Sequence, residues 1–431
     1  MLEQVVDLHI HSKYSRACSK QLELPQIAAA CGVKGIDIAA TGDFTHPAWF
    51  AHLTATLEET EEGVYKLKEE YFLRDSRLQR VVAPTRFVLG TEISCIYKHG
   101  DATRRLHLLI FAPNLATVKK FNTALEARGV NLKADGRPIM GLTGKEIVQL
   151  CLDIDERMMV VPAHAWTPWF AVFGSKSGYD SLEECFEELT PNIRAIETGL
   201  SSDPDMNRRL SALDGITLIS NSDAHGLENL GREANVFGFT QESDITYAEI
   251  TRIIKQGDRA RFLYTIEFYP EEGKYHFDGH KDCVVSLSPE ATRRAGGRCP
   301  KCKRPLTIGV LNRVAELADR TPERIPTDRF VPQRSIVPLK QILSSIMEVG
   351  AQSRRVGAAY DALIRAVGNE FYILLHADSA AITAAGGAEV GEAVQAMRLG
   401  NMQIIPGYDG VYGVIKPTTT SVKKATQSKL F

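Results

Sequence analysis

The chain has 431 residues, 44% of them hydrophobic and 24% charged, a soluble globular composition long enough for more than one core. Its formal net charge of -2 excludes a global attraction to nucleic acid, so any grip on phosphate has to be local. No run is apolar enough to span a membrane, and an N-terminus with Glu3 and Asp7 and no basic start does not read as a secretory signal, so a cytoplasmic protein is expected.

The first apolar run, "QVVDLHIH", holds His9 and His11 with only Ile10 between them. Residues two apart on a strand share a face, so both imidazoles look into one space and suggest a shared ion. The runs "GIDIAATG", "RFVLGTEIS", "RLHLLIFAP", "RMMVVPAHAW", "IRAIETG" and "ITLISNSDAH" follow, each rich in Val, Ile or Leu as strands buried on both faces are. Helix-like segments such as "LELPQIAAACGVK" and "TGKEIVQLCLDID" lie between them. Seven such β/α units predict a parallel barrel or an open doubly wound sheet over residues 1–265. The runs end in, or contain, metal-ligand types: His9 and His11, Asp43 with His46 soon after, Glu92, His107, His164, and Asp223 with His225. At the C-terminal mouth of a barrel such residues converge.

Beyond the seventh unit, His280-x2-Cys283 and Cys299-x2-Cys302 are separated by fifteen residues, a spacing that fits a tetrahedral structural zinc site, with His276 as the alternative histidine ligand. Cys18, Cys31, Cys95, Cys151 and Cys185 are scattered, as free thiols in a reducing compartment are. Around the second knuckle, Arg293, Arg294, Arg298, Lys301, Lys303 and Arg304 form a basic patch without an acidic residue, suited to phosphates. After Thr321 the pattern reads as two helices with Arg354 and Arg355 at their junction, then a helix, a short strand and a hairpin turn at Pro-Gly-Tyr-Asp-Gly. The expected domains are therefore 1–266, 267–320 and a mainly helical 321–417, followed by a flexible tail, 418–431.

"DLHIHS", "TGD", "GTEI", "LHLLIF", "PAHAW" and "NSDAH" resemble, in this order, the motifs of the PHP phosphoesterase family. That resemblance implies an α/β fold, a distorted (β/α)7 barrel holding two or three metal ions. His9, His11, Glu92 and Asp223 would hold one ion, Glu92 bridging to a second held by His107 and His164, with Asp43 and His225 completing a third or shared position. The chain departs from the family at Thr41-Gly42-Asp43, where many members read Thr-Asp-His, and at Ala17, near where some members carry another ligand. His46 is a candidate substitute. Histidine-rich sets suit zinc, iron or manganese, so zinc is expected at the structural and catalytic sites, with Mn2+ or Mg2+ as catalytic alternatives. Paired ions clamp the attacking and leaving oxygens of a phosphoester and activate water; by this resemblance Asp223, Glu92 and His225 are the candidate catalytic side chains, with either Asp223 or His225 managing the proton.

The barrel, the cysteine module with "YHFDGHKDC" and "LTIGVLNRVAELADR", and the helical region in that order resemble the endonuclease Q family over nearly the whole chain. This implies a DNA repair endonuclease that nicks 5′ of hypoxanthine, uracil, xanthine and abasic sites, leaving a 3′ hydroxyl and a 5′ phosphate. Deaminated bases pair weakly and flip out at lower cost. Trp166, Trp169, Phe170 and Phe173, directly after His164, are the candidates to stack a flipped base or wedge the duplex. A small-molecule phosphatase of the histidinol phosphatase type is the alternative, and a DNA-binding adaptor with an inactive barrel is the third reading. The last residues, with Gln427, Leu430 and Phe431, resemble the short motif by which bacterial repair proteins dock in the sliding clamp. A chain ending at Thr426 is expected to lose clamp capture in a pull-down that the full chain retains; equal capture refutes the motif.

Overall fold

The computed structural model describes residues 1–73 and 84–418, so Gln427, Leu430 and Phe431 lie outside the described residues. The first strand, Leu2–Asp7, sits inside an 11-stranded mixed sheet, parallel to Ile38–Ala40 on one side and antiparallel to Ala234–Phe239 on the other. Arg86–His99 continues the sheet parallel to Ile38–Ala40. It then turns directly into Ala102–Ala112, which runs back antiparallel and pairs in turn with Met159–Pro162.

Two of the predicted parallel units are therefore a hairpin. Only Gly100 and Asp101 separate the two long strands, too few for a helical crossover, and Gly100 at φ 60° supplies the left-handed backbone of the tight turn. Ala195–Glu197 and Thr217–Ile219 pair in parallel as a separate two-stranded sheet. Hydrogen bonds past the strand ends tie this pair to the rest: Ala165 N–H donates to the Glu197 carbonyl at 2.9 Å, and His11 N–H donates to the Ala224 carbonyl at 3.2 Å. One apolar cluster joins Val6, Ile38, Val88, Leu109, Val161 and Ile219 from successive strands to Ile250, Ile253 and Ile254 of the helix Tyr247–Gln256. That helix starts at Thr246, whose side chain accepts from Glu249 N–H, and stops at Gly257 with φ 56°.

The cysteine module holds a short hairpin, Asp278–His280 with Val285–Leu287, and the helix Val310–Leu317. Arg313 of that helix is 9% exposed and donates to the carbonyls of Phe173 and Tyr179, each at 3.2 Å, which keys the module into the chain that follows His164. Gln333–Ser335, ahead of the two predicted helices, adds a strand to the sheet parallel to Phe262–Glu267. Five helices follow, from Leu339–Met347 to Ala388–Arg398, and then the hairpin Met402–Ile405 with Val414–Pro417. The Pro-Gly-Tyr-Asp-Gly stretch is its turn, and Asp409 there accepts from Lys281 N–H at 2.6 Å. No helix among the described residues is long and apolar enough to cross a membrane.

Glu370 fastens the helical region to Lys34, the last residue of the helix Leu24–Lys34. It is 3% exposed and accepts from Lys34 Nζ at 2.8 Å, Leu339 N–H at 2.9 Å and the Tyr360 hydroxyl at 2.8 Å. Burial pushes its pKa up, but Lys34 and these donors outweigh that and hold it below the ordinary glutamate value. Glu370→Ala strands Lys34 and should cost about 3–5 kcal/mol in denaturant unfolding at neutral pH. Because the folded pKa is lowered, the wild-type advantage is present above the unfolded carboxylate range, about 4.3, and shrinks as pH falls through the folded value.

Candidate metal centre

His9 and His11 follow the first strand immediately, and their Nε2 atoms converge on two carboxylates. His9 Nε2 lies 3.5 Å from both Glu92 Oε2 and Asp223 Oδ1. His11 Nε2 lies 3.3 Å from Glu92 Oε2 and 3.0 Å from Asp223 Oδ1. The other Glu92 oxygen faces elsewhere: Oε1 is 2.7 Å from His107 Nδ1 and 3.0 Å from His164 Nε2. Register explains the second meeting. His107 stands opposite Ser94 on the paired strand, so Glu92, two residues from Ser94, shares its face. Two groups of ligand atoms result, one of His9, His11, Glu92 and Asp223, the other of Glu92, His107 and His164, the atoms of each lying within 4.8 Å of one another.

The donor set fits cations. His9 is 1% exposed and its Nε2 has no hydrogen-bond partner among the described residues, a polar atom aimed into a carboxylate-lined space. Burial lowers the pKa of His9, but Glu197, Asp223 and Glu92 more than reverse this and hold it well above the ordinary histidine value. Burial dominates instead at His107, pulling it down to about 4. The backbone is strained here: His164 and Asp223 adopt φ of 30° and 46°. Gly199 lets His164 sit so close that a Cβ at 199 would lie 2.5 Å from the His164 Cβ.

Behind the ligands lies a ring of carboxylates. His9 Nδ1 is 3.0 Å from both oxygens of Glu197, which also accepts from His164 N–H and from Asn221 Nδ2, each at 2.8 Å. His11 Nδ1 is 3.1 Å from Asp43 Oδ1. Each far nitrogen is thus pinned, which fixes where Nε2 points.

The structure separates several predicted residues from the ligand groups. Asp43 orients His11, and its second oxygen is saturated by Ser12 N–H at 2.7 Å, Ser12 Oγ at 2.6 Å and Ser15 Oγ at 2.8 Å. His46 instead stands just before the helix Pro47–Thr56, without a side-chain capping bond, and stacks on Tyr14 with centroids 4.1 Å apart. His225 packs its ring 4.6 Å from His11, with Nδ1 donating to the Asp223 carbonyl at 2.9 Å, and joins neither group. Trp166 cannot stack on a base. It is 1% exposed, packs on Phe173, and its Nε1 donates to Asn207 at 2.7 Å. Phe173 is buried with it. Trp169 is exposed, and Phe170 lies with its ring centroid 4.6 Å from that of His107, so these two remain beside the site.

His280, Cys283, Cys299 and Cys302 offer one ligand atom each within 4.8 Å, with Cys302 Sγ 3.6 Å from His280 Nδ1. His276 stacks on Phe277 away from this group. Arg293, Arg294, Arg298, Lys301, Lys303 and Arg304 are all exposed around it. Sequence reasoning missed Glu197 and Arg137, whose Nη1 donates to Glu92 Oε2 at 2.9 Å. Glu197 carried a usable signal, an acid closing an apolar buried run, whereas Arg137 sits on a loop with no periodic pattern. Glu197→Ala should weaken metal binding at the His9 group by about 10–100-fold while the cysteine site keeps its ion, read as metal content after dialysis against a chelator.

Residues 338–401 match the family model described as the MJ0043 C-terminal domain. The chain is 30% identical over 422 residues to the uncharacterized protein YqxK of Bacillus subtilis, covering 95% of this chain and 98% of that one. It is 30% identical over 257 residues to the uncharacterized protein MJ0043 of Methanocaldococcus jannaschii, covering 58% of this chain and 31% of that one. The lesion-specific endonuclease PfuEndoQ from Pyrococcus furiosus superposes with a TM-score of 0.83 at 29% identity, over 98% of this chain and 97% of that one. Endonuclease Q in complex with a 27-mer duplex bearing an abasic lesion at its active site superposes with a TM-score of 0.80 at 30% identity, over 97% of each chain. With likeness of that extent from end to end, the chain belongs to the endonuclease Q family.

Proposed function

We propose that the chain is a metal-dependent DNA repair endonuclease that hydrolyses the phosphodiester 5′ of deaminated bases, namely hypoxanthine, uracil and xanthine, and of abasic sites. The observation that carries this reading is Glu92, whose two oxygens face two separate sets of imidazoles. In the same reading the sheet is a distorted (β/α)7 barrel of the PHP type, residues 267–320 are a zinc module, and residues 321–417 are a third domain. Likeness to a family member held on abasic-lesion DNA supports the substrate class.

His9, His11, Glu92 and Asp223 would hold one catalytic ion and Glu92, His107 and His164 a second, zinc or manganese by donor type. Such ions supply charge neutralisation at the phosphate and an activated water. Hydrolysis adds a water oxygen to phosphorus and breaks the bond to O3′, leaving a 3′ hydroxyl and a 5′ phosphate. In this reading His225 handles the proton. Its Nδ1 donates to a carbonyl, which only accepts, so Nε2 is left as the acceptor at the partly exposed rim. Trp169 and Phe170 offer apolar surface for an unstacked base, and the basic patch around Cys299 grips the backbone.

End-labelled duplexes carrying one deoxyinosine, one deoxyuridine, one abasic site or no lesion are expected to be nicked only on the 5′ side of the lesion, and not at all by Asp223→Ala. Cleavage of a phosphomonoester without any DNA nick overturns the reading in favour of a small-molecule phosphatase. Alanine at Arg294 and Lys303 should weaken duplex binding with and without a lesion alike. The slope of log affinity against log salt should flatten by about 0.9 for each phosphate that the variant no longer neutralises.

A further inference from the structure

Residues 135–138, Asp-Gly-Arg-Pro, form a loop that enters the metal centre from outside the strands. Arg137 Nη1 donates to Glu92 Oε2, the oxygen that faces His9 and His11. The side chain is 22% exposed, and no other hydrogen bond of this guanidinium is formed among the described residues. Nε and Nη2 therefore keep their N–H donors at the edge of the site.

The loop is held on every side. Gly136 N–H donates to the Tyr14 carbonyl at 3.1 Å, and the Pro138 carbonyl accepts from Ser94 N–H at 3.0 Å. Thr45 Oγ1 donates to the Gly136 carbonyl at 3.2 Å. Asp135 Oδ1 accepts from Arg137 N–H at 3.0 Å and Arg16 N–H at 3.1 Å. Position 136 has to be glycine, because a Cβ there would lie 2.3 Å from Asp43 Oδ2 and 2.4 Å from Ser15 Oγ. The carboxylate that orients His11 is thus also the wall against which the arginine loop is set.

A guanidinium on the carboxylate that two ion groups share works against ion binding, since it repels the cations that Glu92 attracts. The arrangement makes sense when an anion arrives. We propose that Arg137 is a catalytic residue whose free Nε and Nη2 donors grip a non-bridging oxygen of the scissile phosphate and stabilise the charge that builds there during hydrolysis. The inference rests on the reading of the centre as phosphodiester-cleaving. A planar, fixed fork is what arginine offers a phosphate and lysine does not.

The test uses the full-length, metal-loaded protein with Arg137→Gln and Arg137→Lys. Inorganic phosphate is the binding probe, titrated calorimetrically, and metal content and nicking kinetics are followed beside it. Arg137→Gln is expected to keep its ions and melting temperature, to bind inorganic phosphate at least tenfold more weakly, and to lose about 10²–10³-fold in kcat. Arg137→Lys should fall between it and the wild type. Wild-type phosphate affinity in Arg137→Gln overturns the proposal, and so does loss of metal, which would mark a purely structural counter-ion. Should Arg137→Gln not fold, Arg137→Lys decides alone, wild-type phosphate affinity and kcat in it being the overturning result. A wild-type protein that binds phosphate through Arg137 yet nicks no lesion duplex would sink the endonuclease reading and the catalytic role together, leaving Arg137 only as a phosphate grip.

Discussion

A single buried carboxylate, Glu92, sets the terms for the centre. It is 1% exposed, and its two oxygens are turned toward two different pairs of histidines. An ionised carboxylate taken out of water has to be paired with positive charge. Arg137 reaches only one of the two oxygens, and burial at His107, 2.7 Å from the other, disfavours a charged imidazole there. The arrangement is therefore stable as a holder of cations rather than as a packed core. The surrounding strain follows from the same demand, since His164 and Asp223 reach their positions only through left-handed backbone. The carboxylates of Glu197 and Asp43 then stop the histidine rings from turning.

Function also depends on how the later parts of the chain grip the sheet. Arg313 of the cysteine module donates to two carbonyls in the segment that carries Trp169 and Phe170, which ties the module to the aromatic rim of the centre. Asp409, in the turn of the last hairpin, binds the module's backbone at Lys281, and Glu370 ties the helices to Lys34. A basic surface, an aromatic rim and a metal centre are thereby held in fixed relation. Under the proposed function, that relation would let lesion reading precede cutting.

The candidate ligands were legible because each apolar run stops at, or is interrupted by, a residue that has no business in a dry interior unless it binds something. His9, His11, Glu92, His107, His164 and Asp223 all stood out in this way, and so did the cysteine knuckles through their spacing. Three features were hidden for physical reasons. The hairpin of Arg86–His99 with Ala102–Ala112 reads as two buried strands whichever way they run, because burial on both faces erases the pattern that tells antiparallel from parallel. Asp43 looks like a ligand by type and order, and only tertiary contacts with Ser12 and Ser15 show its oxygens to be spent. Trp166 and Trp169 are three residues apart in one loop, yet one faces Asn207 in the core and the other faces solvent.

The central claim is that Glu92 joins two ion-holding groups, distinct from the cysteine site. Elemental analysis of the purified protein beside Glu92→Gln measures it directly. The account predicts two ions beyond the zinc of the cysteine site in the wild type, and loss of those with the zinc retained in Glu92→Gln. A wild-type chain carrying zinc at the cysteine site alone, even after incubation with manganese, or a Glu92→Gln variant with an unchanged metal content, would contradict it.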